Sequence, residues 1–240
     1  ANAGADGRNS GVAKVAAAFG QVQADFGPRV QVIAGLRYDV FSLDLRDERA
    51  SVTGRRDFSR TDRIWSPRLG LVVRPVEPLS IYASYSVSSL PASGDQFAGL
   101  SLSTESLKPE SFRNLEAGFK VDLGPRLMAT GAAYRLDREN TQAPDPLVPG
   151  RIVQTGAQRS TGLELGLSGK VTDQWETVAT LAVQSARITR QTAAAPAGRR
   201  VALTPDFTAS LWNKVEVTPR LALGLGVIHQ GDMFASISNS

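Results

Sequence analysis

The sequence predicts an all-β chain whose strands form part of a large antiparallel transmembrane β-barrel, and three observations point there. Apolar residues alternate with polar or very small ones along most of the chain, the period of a strand with two unlike faces. Tight Gly/Pro/Asp turns recur about every 48 residues, with longer polar connections midway between them. The positions opposite the apolar ones hold Gly, Ser, Thr and Gln with isolated charges, not the Lys- and Glu-rich surface of a sheet facing water.

The strands follow in order. In 30–39, Val30, Val32, Ala34, Leu36 and Tyr38 oppose Gln31, Ile33, Gly35, Arg37 and Asp39. In 79–88, Leu79, Ile81, Ala83, Tyr85 and Val87 oppose Ser80, Tyr82, Ser84, Ser86 and Ser88. Leu115, Ala117, Phe119 and Val121 oppose Asn114, Glu116, Gly118, Lys120 and Asp122. Leu163, Leu165 and Leu167 oppose Gly162, Glu164, Gly166 and Ser168, and Leu221, Leu223, Leu225 and Val227 oppose Ala222, Gly224 and Gly226. Turns at Gly27-Pro28, Pro75–Pro78, Gly124-Pro125, Thr172-Asp173 and Thr218-Pro219 divide the chain into ten strands. The long connections are 47–62, 89–110, 140–150 and 189–199. Short turns at one end and long loops at the other are the layout of an outer-membrane barrel, in which about 9–11 tilted residues span the hydrocarbon layer. Tyr38, Trp65, Tyr85, Phe119, Trp175 and Phe207 suit its interfacial girdles. On periodicity alone a soluble β-sandwich stays open as an alternative.

Composition narrows the function. The 240 residues contain no cysteine and one histidine, His229. That excludes disulfides, thiolate metal sites and His-rich metal centres, and leaves most nucleophile–base–acid constellations without parts. No apolar run reaches the roughly 18 residues a membrane helix needs. The net charge of +4 rests on scattered arginines, which argues against nucleic acid. Asp44, Asp47, Glu48 and Asp145 match no oxygen-ligand loop, so a solvated loop is expected rather than calcium. Gly224 and Gly226 sit mid-strand with no helix after them; phosphate binding is excluded, and small residues beside a packed plug or at a point of curvature are expected. His229 is expected at the outer rim, facing headgroups.

Several stretches resemble TonB-dependent outer-membrane siderophore receptors, in the family's order. They are AGLRYDVF (34–41), WSPRLGLVVRP (65–75), LSIYASYSVSS (79–89), SLKPESFRNLEAGFKVDL (106–123), QTGAQRSTGLELGLSGKVTDQW (154–175) and 200–236. Within the family the resemblance leans towards the catecholate type. It implies a barrel of about 22 strands filled by a plug, import of ferric siderophores as transported ligand, and a TonB-type energy-transducing partner that acts through the plug. It also implies residence in the bacterial outer membrane, among lipid and lipopolysaccharide, with no enzymatic activity and no covalently bound cofactor. Residues 1–240 are expected to be about 10 of those strands, a partial barrel domain without the plug and the last strands. A passive porin-like or adhesin-like barrel is the alternative.

On that resemblance, ligand contacts are expected in loops and rim at Arg55, Arg56, Phe58, Gln96, Phe97, Arg151 and Arg159. Arginine offers charge-assisted donors to catecholate or carboxylate oxygens, and aromatics stack on catechol rings. Lipopolysaccharide phosphates, loop acids or solvent are the other destinations for these arginines. Arg37, Asp39, Arg68, Glu116, Lys120, Glu164 and Glu176 lie on the polar parity, where they face either a plug or one another.

Overall fold

In the computed structural model, which describes residues 9–48, 54–91, 107–144, 152–191 and 196–235, the alternation becomes one ten-stranded sheet. Its strands are β1 (Asn9–Phe26), β2 (Val30–Asp47), β3 (Asp57–Val76), β4 (Leu79–Leu90) and β5 (Glu110–Asp122), followed by β6 (Leu127–Pro144), β7 (Ile152–Lys170), β8 (Trp175–Ile188), β9 (Phe207–Thr218) and β10 (Leu221–Gln230). Each strand pairs antiparallel with the next, so spatial order equals chain order. Among the described residues, nothing pairs with the outer edges of β1 and β10.

The tight turns fall where the sequence puts them. Gly27 closes the first hairpin at φ +66, a left-handed conformation that glycine adopts without steric cost. Pro75, which has no N–H to give a ladder, lies where the β3–β4 register shifts between Val73 and Val76.

The two faces are inverted relative to a water-soluble sheet. One cross-strand row reads Ile81–Phe119–Gly131–Leu165–Leu181–Ala209–His229. The adjacent row on the other face reads Ser80–Lys120–Thr130–Gly166–Thr180–Ser210. The aliphatic side chains are the exposed ones, with Leu115, Leu163 and Leu165 at 56, 58 and 53 %. Along β2, β4 and β5 most polar-parity residues are buried or half-buried. The aliphatic face is therefore the convex one, and acyl chains are the solvent that suits it. All six girdle aromatics share its parity, with Tyr38 and Trp65 in contact at 4.4 Å between ring centroids.

Two predicted loops are shorter than the sequence suggests. The 47–62 connection shrinks to 48–56, because β3 begins at Asp57, and β6 runs on to Pro144 into the expected 140–150 loop. The β2–β3 ladder outlasts the membrane span because Leu43, Leu45 and Phe58 form an apolar cluster on the concave face beyond it.

Glycines on the concave face make room for cross-strand rings. A Cβ at Gly118 would sit 2.8 Å from the Tyr82 ring, and one at Gly162 would sit 2.8 Å from that of Tyr134. Gly224 and Gly226 both lie under the indole of Trp212, at 2.8 and 2.5 Å. The G-x-G thus makes room for a neighbouring tryptophan of the same sheet.

Candidate functional site

The concave face is where a solute crossing the barrel would meet this chain, and its polar groups border two hollows. The first, of about 600 Å³, is lined by Ser80, Tyr82, Glu116, Lys120, Thr130 and Glu164, and it also reaches Phe119, Leu165 and Leu181 of the aliphatic row. Tyr82 crosses over Gly118 and donates its hydroxyl to Glu116 Oε1 at 2.6 Å. Tyr134 crosses over Gly162 and donates to Gln184 Oε1 at 2.9 Å, while the Gln184 amide donates to the Pro205 carbonyl at 3.0 Å. These bonds fix the phenols against the wall and leave the middle of the concavity open. Glu164 shares the row of Tyr82, through Gly118 and Ala132.

The second hollow, of about 300 Å³, is lined by Arg37, Arg68, Ser66 and Ser86, with Phe19 at its edge. Arg37 is held by a forked pair of bonds to Asp39 at 2.7–3.0 Å, and Asp39 is buried. Arg68 lies along Gly35, where a Cβ would come within 2.8 Å of its Nε. Among the described residues Arg68 and Lys120 have no ion-pair or hydrogen-bond partner, which leaves both available to a ligand or a packed domain. Glu176, nearer the tight turns, shares a row with Lys170 and Lys214.

Beyond the span, Arg60 grips Asp62 at 2.8–2.9 Å beside the Leu43–Leu45–Phe58 cluster. Arg138 pairs with the buried Glu110 and lies over the Phe112 ring. Neither pair was foreseen from the sequence, although each arginine has the concave parity of its strand. Arg55 is exposed, donates to the Asp57 carbonyl at 2.9 Å and covers the Phe58 ring at 5.2 Å. Phe58 itself is buried, so Arg55 rather than Phe58 is the group presented outward. Arg56 is half-buried, its carbonyl accepting from the Asp47 amide. Gln96, Phe97 and Arg151, together with Asp145, lie outside the described residues. Asp44 and Asp47 point to opposite faces and do not converge on one ion. His229 is on the convex face against Phe207, centroids 5.7 Å apart. Arg159 also has the convex parity, directed away from the concave hollows.

An antiparallel sheet with an aliphatic convex face, a polar concave face, tight turns at one end and long connections at the other is an outer-membrane barrel wall. Residues 1–239 match the family described as TonB dependent receptor-like, beta-barrel. The chain belongs to this family. The probable TonB-dependent receptor BfrD of Bordetella pertussis is 30% identical over 221 residues, covering 88% of this chain and 29% of that protein. The metal-pseudopaline receptor CntO of Pseudomonas aeruginosa is 30% identical over 238 residues, covering 98% and 32%. The solved structure of the siderophore receptor PiuA from Acinetobacter baumannii superimposes with a TM-score of 0.85 at 22% identity, over 97% of this chain and 35% of that one. This chain thus spans about a third of the length of the curated relatives it matches. TonB-dependent receptor barrels are bacterial outer-membrane proteins, and members of the family are transport receptors rather than enzymes.

Proposed function

We propose that the chain is part of the wall of an energised outer-membrane receptor that imports ferric siderophores and performs no chemistry on them. The observation that carries this reading is the polar concave face, with two open hollows and two cations that no other described residue neutralises. The names of the relatives support a metal-carrying metallophore as cargo, and the sequence resemblance favours the catecholate type. Further strands complete the barrel, since an open sheet edge is not viable in lipid. A plug fills it and couples to a TonB-type partner.

In this reading Arg68 and Lys120, with Glu116, Glu164 and Glu176, face the plug, and Arg37 is pre-paired with Asp39. Arg55 and Arg56 belong to the outer rim where the ligand first binds, as do Gln96, Phe97 and Arg151. The lipid and lipopolysaccharide of the outer leaflet surround the convex face.

The test is radiolabelled ferric-siderophore uptake by cells making the intact receptor, with and without the energy-transducing partner. Uptake of a ferric catecholate that ceases without the partner supports the reading. Uptake that persists without it makes the barrel a passive channel. Transport confined to a metal–pseudopaline complex moves the cargo class away from catecholates.

A further inference from the structure

The sheet register places Arg113, Asp137, Arg159 and Arg187 side by side in one cross-strand row across β5, β6, β7 and β8. An isolated bridge pairs Arg187 with Arg200 and extends the row. These residues share the parity of Leu115, Leu163 and Val183, so the row is on the convex, lipid-facing side. Arg135 lies one step below, on the same face. Like charges directly opposite each other destabilise an antiparallel pair, and here Arg159 opposes Arg187.

Among the described residues, the acids do not balance the patch. Asp137 accepts from both Arg159, at 2.6 Å, and Arg135, at 2.9 Å. Glu139 pairs with Arg113. Arg187 donates to the Gly198 carbonyl at 3.0 Å, and Arg200 is matched by Asp206. Apart from that last pair, the described residues set four guanidiniums against two carboxylates, and Arg187 reaches neither of them. They are accessible as well, the side chains of Arg113, Arg135 and Arg159 being 47, 47 and 41 % exposed.

Depth is the second, independent observation. Counted from the tight-turn ends of β5, β6, β7 and β8, the row lies between nine residues (Arg113 to Asp122) and twelve (Trp175 to Arg187) along the strands. At ~3.3 Å per residue and a tilt near 45°, that is about 21–28 Å, close to the ~25 Å height of the apolar band. The row therefore stands at the outer headgroup level, directly above the aliphatic belt. Planar guanidiniums on neighbouring strands, as those of Arg159 and Arg187 are, match the oxygens of a phosphate.

We propose that the convex row Arg113–Arg159–Arg187, with Arg135, is a binding site for the phosphate of an outer-leaflet phosphorylated glycolipid, which supplies the charge the sheet lacks. This rests on the outer-membrane placement and not on the siderophore reading, and the two fail separately.

The experiment is native mass spectrometry of the intact receptor in detergent, titrated with bis-phosphorylated lipid A. The double variant Arg113→Gln/Arg187→Gln leaves two guanidiniums against two carboxylates and is expected to lower lipid A affinity roughly 30-fold. Asp137→Asn adds net positive charge and is expected to raise the affinity, a direction that misfolding does not produce. Arg63→Gln, a convex arginine outside the row, is expected to change nothing. Dephosphorylated lipid A is expected to bind as weakly to the wild type as lipid A does to the double variant. Ferric-siderophore binding by the double variant stays at the wild-type level, which separates this site from the transport path. Equal lipid A binding by wild type and double variant overturns the proposal, as does equal binding of the phosphorylated and dephosphorylated lipids. Competition by free inorganic phosphate at equal concentration overturns the lipid as the source.

Discussion

On the concave side of β2 and β3, Arg37 and Arg60 each grip a carboxylate two residues further along their own strand. On the convex side of β5 to β8, three arginines converge on two carboxylates drawn from a single strand, and a fourth, Arg187, stands beside them on a backbone carbonyl. The first arrangement is neutral and rigid, and both of its acids are buried. The second is cationic and exposed, which is affordable only where an external anion is abundant. The same side chain thus serves the wall's own architecture on one face and a partner on the other.

The sharpest way to break this contrast is to move charge along the convex face. Leu165→Arg puts a cation within the aliphatic belt and is expected to cost about 3 kcal/mol of barrel stability. Thr161→Arg, four residues nearer the arginine row on the same face, is expected to cost about 1 kcal/mol or less. Urea unfolding in lipid vesicles measures both, and equal costs would remove the depth assignment of the row.

A second test removes a built-in partner on the concave side. Asp62→Ala leaves Arg60, whose side chain is 12 % exposed, without its forked carboxylate. The expected loss is about 2 kcal/mol, because the hydrogen bonds are charge-assisted and little water reaches the site. A loss equal to that of Asp137→Ala, in the exposed patch, would erase the distinction between the two regions.

The concave wall has a steric counterpart. Gly162→Val introduces a Cβ 2.8 Å from the Tyr134 ring and is expected to displace the phenol from Gln184. The cost is about 1–2 kcal/mol by the same unfolding assay. Gly20→Val, where no atom lies within 4 Å, is the control.

The smallest effect is electrostatic, at the tight-turn end. Arg126, by hydrogen bonding and by charge, holds the exposed Asp173 carboxyl below its usual range. A depressed acid stabilises the folded state above its unfolded pKa, and that contribution is lost as pH falls through the folded value. Arg126→Ala is expected to return Asp173 to the ordinary carboxylate range in a carboxyl NMR titration, and raised salt to shrink the difference.

Much of the fold was legible because a strand's period is two, so a residue's parity alone assigns its face once the aliphatic face is known. Leu163, Leu165 and Leu167 announce the lipid side of β7, and the Thr172-Asp173 turn announces where it ends. Arg37, Arg68, Glu116, Lys120, Glu164 and Glu176 were assigned to the concave face in the same way, and the sheet bears out that parity. Arg159 was grouped with ligand contacts because it flanks a loop, and parity places it on the other face. The loop boundaries failed where the Leu43–Leu45–Phe58 cluster carries a ladder past the membrane, since that cluster exists only once β2 meets β3.

What the sequence determined by itself, then, is the element type, the turns and the face of each side chain, all consequences of local geometry. What only the tertiary structure decided is which residues of different strands stand beside one another. Trp212 covers Gly224 and Gly226, and Arg113, Asp137, Arg159 and Arg187 fall into one row, through the register of whole strands. Turn lengths and bulges such as that between Glu139 and Thr141 set that register, and a slip of one residue would send every one of these side chains to the opposite face.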